Sequence, residues 1–174
     1  VFLGQRRIEA PGSDLQRHYW DACQRLLMNR ELGCAVFENG PGLILDDGLP
    51  YDRCQVGVVT DFDGWPALAH HDVHDIEAMR RVMRTQIDVV LADGVGVLNG
   101  DDARVAALAE LCDGEVLFYG HRGAEGQSAP LAQHLAQGGR AALCDAQRRV
   151  HLHRGAHETV HAPIDLGRLL ARLP

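Results

Sequence analysis

The chain has 174 residues, 46% of them apolar and 24% charged, with a formal net charge of -7 at pH 7. This composition fits one soluble globular domain with a real core, its acidic balance argues against non-specific nucleic-acid binding, and no apolar run nears the roughly 20 residues of a membrane span. Every basic residue is an arginine, so no Walker A lysine can reach a nucleotide phosphate and no lysine Schiff base can form. The start, "VFLGQRRIEA", turns polar at once and predicts no signal peptide. Five scattered cysteines never form a CxxC pair and read as buried thiols of a reducing cytoplasm.

In chain order, residues 1–9 read as a short hairpin with Gly4 in its turn. After "PGSD", with Ser13 or Asp14 as cap, residues 14–29 follow helical spacing. Leu15, Tyr19, Trp20, Cys23, Leu26 and Leu27 form its apolar face. Residues 33–40, "GCAVFENG", read as a short strand tipped by Glu38, and "CQVGVVTDF" as a second strand ending at Thr60 and Asp61. Residues 75–91 are predicted helical, with Ile76, Met79, Val82, Met83 and Ile87 inward. "GVGVLNGDD" is a third strand, "DARVAALAELC" a helix, "EVLFYG" a fourth strand and "APLAQHLAQGG" a helix closed by glycine. "RAALCDAQRRVHLHRG" reads as a hairpin turning near residues 145–147, and "PIDLGRLLARLP" as a terminal helix capped by Asp165.

Continuous apolar strands alternating with helices predict an α/β fold: a mainly parallel sheet covered on both faces, with an antiparallel C-terminal edge hairpin. Ligands of such sheets bind outside the carboxyl ends of the strands. Those ends carry Glu38, Thr60, Asp61, Asn99, Asp101 and Asp102. Each has a bland role beside the functional one: Asp101 and Asp102 suit a helix start, Asn99 suits a turn, and Asp61 and Asp63 suit a loop after a strand. Ten histidines include a late group at 151, 153, 157 and 161. Zinc takes such sets, but no cysteine lies at finger spacing and no metal is assigned to them.

"TDFDG" after an apolar strand also resembles the nucleophile motif of dehalogenase-type phosphatases, which would make Asp61 and Asp63 the catalytic pair. The acidic loop then lacks a second carboxylate at Val105, and only one crossover fits between Asp63 and Asp101. A more specific resemblance lies in "AVFENGPGLILDDGLPYDRCQVGVVTDF" and "LADGVGVLNGDDARVAALAELCDGEVLFYG". These resemble the Mur-ligase-like half of cyanophycin synthetases, over about residues 30–155. That resemblance implies a P-loop, Mur-ligase-type central domain, lacking within residues 1–174 the P-loop and the C-terminal lobe. It implies Mg-ATP as cofactor and an activity that phosphorylates a carboxylate and lets an amine attack. By the same resemblance Glu38 is the magnesium ligand, and Asn99, Asp101, Asp102 and Thr60 line the nucleotide. It also places departures: Asp61 for an asparagine, Pro66-Ala67 for an Asp-His metal pair, and Met83 for a metal-binding lysine. The expectation is therefore an inactive scaffold or oligomerisation domain with no catalytic residue of its own, part of a larger synthetase-like protein. Its alternative is a working ligase completed by sequence outside this chain.

Overall fold

The structure, a computed structural model, describes residues 15–122 and 128–159 and three two-residue strands, Phe2–Leu3, Arg6–Arg7 and Ile164–Asp165. It divides into two compact units, one up to Asp52 and one from Arg53 onward.

In the first unit, β1 (Phe2–Leu3) pairs antiparallel with β2 (Arg6–Arg7), as the predicted hairpin requires. Helix α1 (Leu15–Leu27) buries Cys23 and Leu26, with Tyr19 and Trp20 half-buried on the same side. Leu27, expected inside, is 45% exposed. The predicted strand over 33–40 is absent, and Val36 is 93% exposed. An apolar run becomes a strand only with a ladder partner, and none meets this segment among the described residues. It leads instead into a short helix, α2 (Pro41–Asp46), started by a proline at its amino end.

The second unit is built on a sheet. Strands β3 (Cys54–Val59), β4 (Val90–Asn99), β5 (Glu115–His121) and β6 (Arg140–Cys144) lie parallel and in sequence order. Strand β7 (Arg149–Arg154) returns antiparallel to β6 as the predicted hairpin. Both β8 (His157–Glu158) and β9 (Ile164–Asp165) then pair with β7. Asp165 is thus in a strand and does not cap a helix there, because its backbone pairs with Arg149. The rest of the predicted terminal helix lies outside the described residues. The predicted helix over 75–91 divides into α3 (Ile76–Met83) and α4 (Thr85–Asp88), after which β4 already begins. Asp75 starts α3 by accepting the Ala78 amide at 2.6 Å. Helix α5 (Ala103–Ala106) tightens into a 3₁₀ turn, and α6 (Ala129–Ala136) begins at Ser128.

Sequential parallel order has a geometric consequence. Crossovers of one hand between strands laid down in one direction put every helix on the same face. A Cβ at Gly57 would meet the Gln86 carbonyl of α4, one at Gly96 the Cys112 sulfur, and Phe118 packs on the His134 ring of α6. The paired residues of that face, Val59, Leu98, Phe118 and Ala141, are all buried. On the opposite face Val56 and Val58 remain 55% and 48% exposed. Their cross-strand neighbours Val95, Val97 and Leu117 are half-buried. The mainly parallel sheet with helices and the antiparallel edge hairpin are as expected, and the second face carries no helix among the described residues of this unit. The described helices of this unit cover one face. The other carries an apolar centre and, at one end, an ion ladder in which Glu115 meets Arg140 at 2.7 Å and Arg154 at 3.3 Å.

Candidate functional site

Four predicted residues, Thr60, Asn99, Asp101 and Asp102, come together at the carboxyl ends of β3 and β4. The register fixes this grouping: Val59 pairs with Leu98 and Asn99 with Tyr119, so the next residues of all three strands meet at one rim. Asn99 serves as a brace. Its side-chain N–H donates to the Thr60 carbonyl at 3.0 Å, and its Oδ1 accepts the Asp101 amide at 3.0 Å. The Tyr119 hydroxyl approaches the same Thr60 carbonyl at 3.5 Å. Burial, then the charges of Asp61 and Asp101, push the Tyr119 phenol up from its ordinary pKa.

The aspartates divide into roles. Asp61 accepts the Thr60 hydroxyl at 2.8 Å and the Asp63 amide at 3.0 Å, so both its oxygens shape the loop. Asp102 caps α5, accepting the Arg104 amide and Arg104 Nε, each at 2.9 Å. The Arg104 hydrogen bonds hold its carboxyl below the usual range. Asp101 turns back to β5: its Oδ2 accepts the His121 amide at 2.9 Å and meets His121 Nδ1 at 2.7 Å. Its other oxygen is buried without a hydrogen-bond partner among the described residues. Gly120 gives that carboxylate its room, since a Cβ there would stand 2.7 Å from Oδ1.

His121 is the residue that sequence reading missed. Its side chain is 84% exposed, and Asp101 holds its Nδ1. No local motif marks it, because the pairing depends on the β4–β5 register and on the turn after Asn99.

Glu38 belongs to the first unit. It is exposed, and its carbonyl accepts the Tyr19 hydroxyl at 2.7 Å. Burial pushes the Tyr19 phenol well up from its ordinary pKa. Met83, where the resemblance puts a metal-binding lysine, is 8% exposed in the core face of α3. A thioether packed there offers no hard oxygen to magnesium. Among the described residues no group of three or more His, Cys, Asp or Glu side chains is placed to hold a metal ion. Among the described residues the strand-end rim offers no free arginine to a phosphate. It carries four aspartates, and its nearby arginines are engaged, Arg104 by Asp102 and Arg122 by Glu158. The described residues therefore do not fit Mg-ATP by themselves. The five cysteines are free thiols, but only Cys23 is buried as expected: Cys54, Cys112 and Cys144 are half-buried and Cys34 is exposed.

No protein-family profile matches the chain. Comparison with curated proteins finds a cyanophycin synthetase of Crocosphaera subtropica, 40% identical over 94 residues, which cover 54% of this chain and 11% of that protein. A cyanophycin synthetase of Synechocystis is 36% identical over 94 residues, with the same coverage. One of Geminocystis herdmanii is 32% identical over 118 residues, 68% of this chain and 13% of that protein. The chain thus spans little more than a tenth of the length of these relatives, and the partial match fits a cyanophycin synthetase-like domain.

Proposed function

We propose that the chain is a degenerate Mur-ligase-like domain of a larger, cytoplasmic synthetase-like protein, and that it serves there as a scaffold and assembly surface. Its relatives suggest an ATP-dependent ligase whose chemistry would use ATP and magnesium. The observation that carries the scaffold reading is the half-open sheet. Strand β3 pairs with β4 alone among the described residues, and its Val56 and Val58 stand about half exposed. A free parallel edge beside an apolar face is surface that soluble proteins ordinarily cover. The buried Met83 and the acidic strand-end rim support the absence of acyl-phosphate chemistry in this chain alone.

The test is calorimetric titration of the purified chain with Mg-ATP, with free magnesium as control. The expected result is no binding heat. Binding tighter than roughly 100 μM, about -5.5 kcal/mol, would overturn the reading. It would restore Asn99, Asp101, Asp102 and Thr60 as nucleotide contacts and Glu38 as a metal ligand.

A further inference from the structure

The outer edge of the sheet carries a side-chain cluster that the proposed function does not use. His151, on β7, is 8% exposed at its side chain, yet both its ring nitrogens meet charged partners. Nε2 lies 2.9 Å from Asp145 Oδ2. Nδ1 lies 2.8 Å from Glu158 Oε1 and 2.7 Å from Arg122 Nη1. Glu158, on β8, is also 3.3 Å from Arg122 Nη2.

Nδ1 is therefore faced at once by an acceptor and by a permanent donor. A protonated Nδ1 can donate only to Glu158. A bare Nδ1 can accept only from Arg122, whose guanidinium keeps its protons across the working range. Nε2 has no such choice. Asp145 is pinned in the β6–β7 turn, where its Oδ1 accepts the amides of Gln147 at 3.0 Å and Arg149 at 2.8 Å. Its Oδ2 also accepts Arg149 Nε at 2.9 Å. The carboxylate holds a proton on Nε2, so Nδ1 is the atom that titrates.

We propose that His151 is a proton-operated latch on the sheet edge. With the ring doubly protonated, Nδ1–H binds Glu158 and clamps β8 to β7. With the ring neutral, Nδ1 takes a hydrogen bond from Arg122, Glu158 loses its imidazolium donor, and β8 loosens. The proton lost goes to solvent, and no other covalent change occurs. The short β8 ladder suits release: it consists of two residue pairs, His153 with Glu158 and Arg154 with His157, followed by the Thr159 amide on the Leu152 carbonyl at 2.7 Å. Release would bare the outer edge of β7 next to these pairs.

The charges around the ring favour this order of events. Asp145 first, then Glu158, raises the pKa of His151, against the opposing effects of burial and Arg122. On the same strand His153 is held down mainly by burial and then by Arg122, the opposite direction from His151. Because the folded pKa lies above the unfolded one, the clamp is at full strength below about pH 6.5. It is lost as pH rises through the folded value.

The experiment is NMR of the folded chain from pH 5 to 9, reading the His151 ring ¹⁵N shifts together with Thr159 amide exchange corrected for intrinsic base catalysis. The expected result is two protonated ring nitrogens at low pH and an Nε2–H neutral ring at high pH. Thr159 exchange should rise about tenfold across the same midpoint, the equivalent of about 1.4 kcal/mol. Glu158→Gln should lower the midpoint and abolish the step in exchange, and it leaves the buried ring in place if His151→Gln fails to fold. A neutral ring protonated at Nδ1, a flat exchange profile, or an unmoved midpoint in Glu158→Gln would overturn the latch.

Discussion

Gly57 offers the sharpest test of how this sheet meets its helices. It sits in β3 on the covered face, and the backbone of α4 passes directly over it. A Cβ built there would lie 2.4 Å from the Gln86 carbonyl oxygen and 2.7 Å from Val90 Cγ2. A carbon and an oxygen need more than 3 Å, so Gly57→Ala forces roughly 1 Å of movement between strand and helix in a close-packed interior. The oxygen belongs to a backbone held by the helix: Ile87 N–H donates to the Arg84 carbonyl at 2.8 Å, and Asp88 N–H donates to the same carbonyl at 2.9 Å. Neither side can turn away by a rotamer change. Beside this contact lie Ile87 and Val90, both fully buried. Overpacking of this kind costs about 1–3 kcal/mol. For a unit of this size that predicts a melting-point loss of roughly 3–12 °C. The assay is urea and thermal unfolding followed by fluorescence. Gly33→Ala is the control, since nothing lies within 4 Å of a Cβ there. Should Gly57→Ala match that control within about 0.3 kcal/mol, the close approach of β3 to α4 would be refuted.

Three further outcomes are expected. Met83→Lys should not restore a metal site but should destabilise the fold by about 3 kcal/mol at neutral pH, because it buries an unpaired ammonium. A lysine with a depressed folded pKa gives stability that rises with pH, so a melting point indifferent to pH between 6 and 10 would count against the burial of that position. Asp101→Ala should cost about 2 kcal/mol by freeing the His121 amide and ring, read by denaturant midpoints, and Asp101→Asn should recover part of it. A full-strength Asp101→Ala protein would remove the brace between the β4 turn and β5. Below the ordinary carboxylate range the edge hairpin should weaken before the rest of the sheet. The His151 hydrogen bond, then the contacts to Arg149, hold the Asp145 carboxyl well below its usual value. Its contribution is present above the unfolded carboxyl pKa and is lost as pH falls through the folded one. Residue-resolved exchange on β6 and β7 between pH 5 and pH 2 checks this, and uniform loss across the sheet would contradict it.

The strands were legible because each is a run of β-branched and aliphatic residues between turn signals. β3, β5 and the hairpin fell where the pattern put them. The 33–40 segment shows the limit of that reasoning. "GCAVFE" has strand composition, but pairing is a property of neighbours, not of the run itself. The placement of the described crossover helices on one face was hidden for a related reason: alternation of strand and helix predicts parallel crossovers, while strand order decides which face they cover. At the strand ends, Asn99, Asp101 and Asp102 were identified by position, yet their partners were not. His121 and the His151 cluster depend on registers, Asn99 against Tyr119 and Leu143 against His151, that no local spacing encodes.

The sequential strand order also bears on how the sheet is made. Each parallel strand is laid beside the one synthesised just before it, so the sheet can grow outward from β3 as the chain emerges, without waiting for distant sequence. The antiparallel hairpin then turns growth back on itself, and the two-residue strands on β7 finish that side. Among the described residues β3 pairs with β4 alone, so this growth leaves the β3 edge, with Val56 and Val58 beside it, free to accept one more strand from any other part of the polypeptide.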